Sequence, residues 1–192
     1  MYYIEQFVMA YRADHDKIKK LLPEGYESLR PVLRINVEVI NDIDGMEGEQ
    51  VYVEFNTPVA SAGMRGWLNL VTWESMWTDI FSMTDGKFTR FTADFDGTEF
   101  LDITYTRTGR EGGCPHENDN DGIFFIDAAT GETEFFEAEE ILENKEYCDC
   151  EFRWLSPESD FFSDKPDLAR QAMAIEPEEI LGAYVVEFER EY

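Results

Sequence analysis

Val32-Leu33-Arg34-Ile35-Asn36-Val37-Glu38-Val39-Ile40 alternates apolar and polar residues one for one from Leu33 to Val39. In an extended chain successive side chains point to opposite faces, so Leu33, Ile35, Val37 and Val39 share one face while Arg34, Asn36 and Glu38 share the other. A period of two from Leu33 to Val39, within an otherwise apolar run, predicts a strand with one buried face. Val51 to Asn56 repeats the pattern, with Tyr52, Glu54 and Asn56 on its polar side. Neighbouring strands of this kind imply an antiparallel sheet. Their polar faces have two available settings: bulk water, or the lining of a cavity inside a barrel.

Outward from this pair, short strands dominate. Tyr2 to Tyr11 is rich in aromatic and β-branched residues and reads as a strand. Asp14 then caps a short helix whose apolar face is Ile18, Leu21 and Leu22, and Pro23 and Gly25 stop it. Gly66 to Trp73 is a further strand. Thr72 stands where a cap belongs, and the Trp77, Ile80 and Phe81 spacing predicts a helix over Glu74 to Met83, ended by Asp85-Gly86. Phe88 to Phe95 and Glu99 to Arg107 form a hairpin about Asp96-Gly97, followed by a polar loop over Gly109 to Asn120. Ile123 to Ile126 and Glu132 to Glu137 form a second hairpin about Thr130-Gly131. An acidic helix is expected over Glu137 to Glu146, and a strand over Tyr147 to Leu155. Pro166 opens a helix running to about Ala174, and Ala183 to Glu189 is the closing strand. The expected class is α+β, mostly antiparallel β, with a curled or barrel-like sheet and a few flanking helices.

The 192 residues fit one domain, 1–192, and 43% hydrophobic and 15% aromatic content supports a packed core. A formal charge of -26 argues against nucleic acid and against anionic membrane surfaces. It repels small anions too, so a site for one needs its own positive group. No apolar run approaches the ~20 residues of a membrane-spanning helix. The opening Met1-Tyr2-Tyr3-Ile4-Glu5 lacks signal-peptide features, so a cytoplasmic location is expected. Three cysteines do not form a disulfide framework. Cys148-Asp149-Cys150, with Cys114 and His116, has the wrong spacing for common zinc sites. Glu117 to Gly122 resembles a calcium loop only until its twelfth position, which is Ala128 rather than glutamate. No nucleotide-binding glycine loop is present, and neither cofactor nor metal is expected.

Several segments together resemble one family. Tyr11-Arg12-Ala13-Asp14 precedes a short helix ending Leu21-Leu22-Pro23-Glu24. Pro31-Val32-Leu33-Arg34-Ile35, Tyr52-Val53-Glu54 and Gly63-Met64-Arg65-Gly66 follow in order, and Glu179-Ile180-Leu181-Gly182 leads into the last strand. In this order and spacing the chain resembles the acetoacetate decarboxylase-like superfamily. The resemblance implies a β-barrel-like fold around a small cavity, usually within a homo-oligomer. It also implies decarboxylation of a small β-keto acid through a lysine Schiff base.

By the same resemblance Glu54 stands for the glutamate of a Tyr-x-Glu element that positions substrate or handles protons. The family's Tyr-Pro-Lys-Lys has no match here, and neither does a basic residue that the family carries upstream of its first strand. Lys87, in Asp85-Gly86-Lys87-Phe88, is the one lysine between Gly66 and Asp96. Iminium formation needs an unprotonated amine, which burial or a second cation provides. Lys87 and Glu54 are therefore the candidate catalytic residues, with partial burial expected for Lys87. Arg34, Glu38 and Tyr52 are the candidate substrate-binding residues, Arg34 holding a carboxylate. Each has a plainer setting: a solvated lysine after a turn, a glutamate on a wet strand face, an ordinary Arg34–Glu38 surface pair. Two other functions fit the same scaffold: a non-enzymatic small-molecule binder or structural subunit lacking the lysine pair, or a different reaction at a keto acid.

Overall fold

The computed structural model describes residues 1–42, 50–74, 79–95, 98–112, 121–137, 144–155 and 164–191. In chain order the elements are β1 (Tyr2–Ala13), α1 (His15–Leu21), β2 (Glu27–Ser28), β3 (Val32–Asp42), β4 (Gln50–Ser61), β5 (Met64–Glu74) and β6 (Asp79–Asp85). Then come β7 (Phe88–Phe95), β8 (Thr98–Glu111), β9 (Gly122–Ile126), β10 (Thr133–Glu137), β11 (Glu146–Trp154), α2 (Pro166–Met173) and β12 (Pro177–Arg190). All the strands belong to one sheet in the order β10-β9-β5-β4-β3-β1-β12-β11-β8-β7-β6, with β2 beside β4. The pairings are antiparallel except that of β5 with β9, where Trp67 meets Ile123. Gly66 permits that contact, because a Cβ there would lie 2.5 Å from the Gly122 carbonyl oxygen. Among the described residues no helix is long and apolar enough to cross a membrane.

The expected helix over Glu74 to Met83 is overturned where the chain is described. Residues 79–85 form β6, paired from Asp79↔Asp94 to Asp85↔Phe88. Thr72 lies within β5 rather than at a cap, and Gly86-Lys87 is the hairpin turn that follows Asp85, with Gly86 at φ +62. Ile80 and Phe81 suit a strand as well as a helix, and the ladder with β7 decides between them. Trp77, the Asp96-Gly97 turn, most of the expected acidic helix, Cys114, His116 and the segment 113–120 lie outside the described residues. Asp14 does cap α1, accepting a hydrogen bond from the Lys17 backbone N–H at 3.0 Å. Pro166 occupies the first turn of α2.

Ring contacts show how the sheet curls. Phe7 of β1 stacks on Tyr105 of β8 at 4.4 Å between centroids, although β12 and β11 separate these strands in the sheet. Phe55 of β4 meets Trp154 of β11 at 5.2 Å, and Trp73 of β5 meets Phe100 of β8 at 5.5 Å. These residues face the inside of an unclosed curl. The apolar sides of β3 and β4 (Leu33, Ile35, Val37, Val51, Val53 and Phe55) point into it, joined by Ile18 of α1 and by Ala169, Ala172 and Met173 of α2. The strong apolar alternation of β3 and β4 makes this the cheaper face to bury. Much of the interior is therefore filled with side chains. A second apolar cluster lies on the outer face: Val8, Ala10, Val32, Trp67, Tyr184 and Val186.

A carboxylate clamp ties the far side of the sheet. Asp102 of β8, 7% exposed, accepts from Arg90 Nε at 3.1 Å, Arg90 Nη2 at 3.2 Å and Arg153 Nη2 at 2.9 Å. The Arg90 hydrogen bonds are the main cause that holds its carboxyl below the ordinary 3.8. A depressed native pKa contributes stability above the unfolded value and loses it as pH falls through the native one. Asp102→Asn is thus expected to lower Tm at pH 7. The gap from the parent should close below about pH 3.8, which thermal melts across pH 2 to 7 will show.

Candidate functional site

The polar sides of β3 and β4 lie on the outer face, and strand register sets them in rows. Ala10, Arg34 and Asn56 form one row; Val8, Asn36 and Glu54 the next; Gln6, Glu38 and Tyr52 the third. From β5, Asn69 stands opposite Asn56 and Thr72 opposite Glu54. Although on the outer face, this patch is not simply solvated. Arg34 is 8% exposed, Asn36 6% and Asn56 0%.

The hydrogen bonding of the patch is incomplete. Asn36 Nδ2 donates to Glu54 Oε2 at 3.3 Å, and Asn69 Nδ2 donates to Thr72 Oγ1 at 3.2 Å. The Arg34 guanidinium lies 4.0 Å from the Trp67 ring centroid, a cation–π contact. The expected Arg34–Glu38 pair does not form. Glu38 instead accepts from Gln6 Nε2 at 2.9 Å and faces Arg190 Nη1 at 3.7 Å. Among the described residues Arg34 has no ion pair. Arg34 Nε, Asn36 Oδ1, both amide atoms of Asn56 and Trp67 Nε1 are buried without hydrogen-bond partners. Leaving such an atom unsatisfied costs about 1–3 kcal/mol. A polar ligand or ordered water is the usual remedy.

Of the candidate residues, the fold brings Arg34, Glu38, Tyr52 and Glu54 onto one face, and Lys87 elsewhere. Lys87 occupies the β6–β7 turn and is exposed, so the partial burial expected for it is not found. Its carbonyl accepts from the Arg107 backbone N–H at 2.9 Å, and its amine runs beside Gly109. A different lysine reaches the outer face. Lys145 Nζ lies 4.9 Å from the Tyr184 ring centroid, and Tyr184 is paired with Val8, which is paired with Asn36.

Two hollows lie apart from the patch. One, of about 180 Å³, opens inside the curl between β1, β3 and the β6–β8 strands. The other is a broad groove of about 550 Å³ where β11 and β12 part company, lined in part by Asp102, Glu151, Glu178 and Glu179. Arg153 lines it too but is bound to Asp102 and outnumbered by the carboxylates, so the groove suits no anion. Neither lining includes a lysine. Cys148 and Cys150 face the packed interior, where burial pushes both thiols up to about 12. At neutral pH they are poor nucleophiles and poor metal ligands.

Asn56, Asn69 and Trp67 were not distinguished by alternation alone. A signal was present, however: asparagine is depleted in strands, yet Asn36, Asn56 and Asn69 sit inside three adjacent ones.

A single unclosed, curled, mostly antiparallel sheet with two flanking helices defines the acetoacetate decarboxylase-like fold. The solved structures it is similar to bear this out. An acetoacetate decarboxylase from Legionella pneumophila superimposes with a TM-score of 0.69 at 12% identity, over 97% of this chain and 83% of that one. Another acetoacetate decarboxylase gives 0.70 at 13% identity, over 97% and 84%. The enduracididine biosynthesis enzyme MppR, complexed with pyruvate, gives 0.66 at 13% identity, again over 97% and 84%. No family model and no curated protein matches the chain.

Proposed function

We propose that this chain is an acetoacetate decarboxylase-like protein that binds a small organic acid, of the keto acid class, on its outer polar patch without a covalent lysine intermediate. One observation carries the reading: the buried Arg34 guanidinium, lacking a carboxylate among the described residues, beside an Asn56 amide with both atoms unpaired. Arg34 and the Asn56 amide N–H would hold the ligand's carboxylate. Asn36 Oδ1 and Asn56 Oδ1, which only accept, would take the O–H of the ligand's enol form or of a bridging water. Glu54, tied to Asn36, would position the ligand or take a proton from it, with Glu38 and Tyr52 at the rim. Two solved neighbours are acetoacetate decarboxylases and a third was solved with pyruvate, which supports keto acids as the first ligands to try.

The exposed setting of Lys87 argues against an iminium there, since burial is not at hand to activate its amine. The decarboxylase reading through Lys87 and Glu54 is favoured by the fold alone. One experiment separates the two. The protein is melted with acetoacetate and with pyruvate, then treated with borohydride in their presence and weighed intact. Binding without covalency predicts a raised Tm and an unchanged mass. A reduced adduct mapped to Lys87 or Lys145 would establish lysine chemistry and overturn the non-covalent reading. No shift in Tm with either acid, up to millimolar levels, would overturn the site itself. The assembly is proposed to be a homo-oligomer, which sedimentation will test.

A further inference from the structure

The hollow inside the curl lies on the opposite side of the sheet from the polar patch, and its lining has a different chemistry. One end is apolar, formed by Phe7, Val37, Val39 and Phe91. The other end is polar and bears a net negative charge. Glu5 accepts from the Tyr105 hydroxyl at 3.0 Å and from Arg107 Nη2 at 3.0 Å. The same Arg107 nitrogen donates to Glu187 at 2.7 Å. Two carboxylates thus share one guanidinium. Burial, followed by the hydrogen bond and charge of Glu187, pushes the Tyr3 phenol up to about 12, so it adds no charge to the lining. The remaining polar lining, Asn41, Thr84 and Thr89, is uncharged, and the two threonine hydroxyls bond each other at 3.0 Å.

Charge and volume narrow the occupant. A carboxylate ligand would meet Glu5, the one charged side chain among the described residues of the lining, whose Arg107 partner is already shared with Glu187. An ammonium would complete the balance, because a carboxylate has about four acceptor positions and Glu5 uses two. The acidic chain also concentrates small cations around itself. The volume of about 180 Å³ suits a body of one ring. An engineered apolar cavity of about 150 Å³ takes up benzene.

We propose that this hollow is a second ligand site, taking a small organic monocation: a primary ammonium on an apolar body about one aromatic ring in size. The ammonium donates to Glu5, and the body packs among Phe7, Val37 and Phe91.

Benzylammonium is the probe, with benzyl alcohol and benzoate as isosteric neutral and anionic controls. Each is titrated into the full chain at pH 7 in 0.15 M sodium chloride, which screens loose surface attraction. Binding is followed by calorimetry and by the valine methyl signals of the wild-type protein. The expected result is saturable binding of benzylammonium, at least tenfold tighter than benzoate, with the Val37 and Val39 methyl signals moving. Glu5→Gln should weaken benzylammonium about tenfold and leave benzyl alcohol nearly unchanged. Arg34→Gln should leave the benzylammonium isotherm as it was, since Arg34 lies on the other face. Benzoate binding as tightly as benzylammonium, or saturation without movement of the Val37 and Val39 signals, would overturn the proposal, as would no binding at all. The wild-type methyl shifts keep the test decisive even if Glu5→Gln fails to fold.

Discussion

Replacing Arg34 by methionine is expected to weaken organic-acid binding by about one to two orders of magnitude while making the ligand-free protein more stable. The two effects share one cause. Arg34 is a cation at 8% exposure with no ion pair among the described residues, its guanidinium lying on the face of Trp67. Burying a charge without a counter-ion is costly, and replacing buried ionic groups with apolar ones of similar volume is often stabilising by about 1–4 kcal/mol. Against this stands the lost cation–π contact, worth roughly 0.5–2 kcal/mol. The expected net is a gain of about 1 kcal/mol, or a Tm higher by about 2–4 °C for a chain of this length. Affinity for acetoacetate or pyruvate should fall about tenfold to a hundredfold, the worth of a charged hydrogen bond. Thermal melts with and without ligand measure both quantities on one sample. A Tm that drops by several degrees would mean that the guanidinium is satisfied in the ligand-free protein, and would remove the argument for a ligand.

Trp73→Ala is expected to cost about 3–5 kcal/mol, the range for emptying a large core position. Trp73 is fully buried and lies within 5.5 Å of Phe100 and 6.1 Å of Trp154, measured between ring centroids. Trp154 in turn contacts Phe55 and donates its indole N–H to the Tyr11 hydroxyl at 3.3 Å. These contacts join β5, β8, β11, β4 and β1, so truncation opens a void where opposite sides of the curl meet. Urea unfolding should show a lower midpoint with little change in slope. Trp73→Phe, which keeps a ring in place, should cost less. If Trp73→Ala unfolds like the parent, the inner face is not the packed core and the assignment of inside and outside fails.

The legibility of this chain varied with the range of the interactions involved. Asp14 as a cap, Pro166 at a helix start and the alternation of β3 and β4 are local features. Backbone hydrogen bonding and side-chain period express them wherever the segment lies. The reading failed at residues 79–85, where an apolar spacing compatible with a helix was claimed by the ladder with β7. Propensity differs there by less than the gain from pairing a free strand edge. The partial burial expected of Lys87 fails for a related reason. Once β6 is a strand, Asp85-Gly86-Lys87 becomes a hairpin tip, and a hairpin tip puts its side chains in water.

The candidate site divides in the same way. That Arg34, Asn36 and Glu38 share one side of a strand, and Tyr52, Glu54 and Asn56 one side of its neighbour, was determined by sequence, because side-chain direction alternates with every residue. Which side closes over the core, and that Arg34 pairs with Trp67 rather than Glu38, only the tertiary structure decided. Those outcomes depend on partners far away in the chain, such as Tyr105 against Phe7 and Trp154 against Tyr11, and alternation carries no information about which distant surface a face will meet.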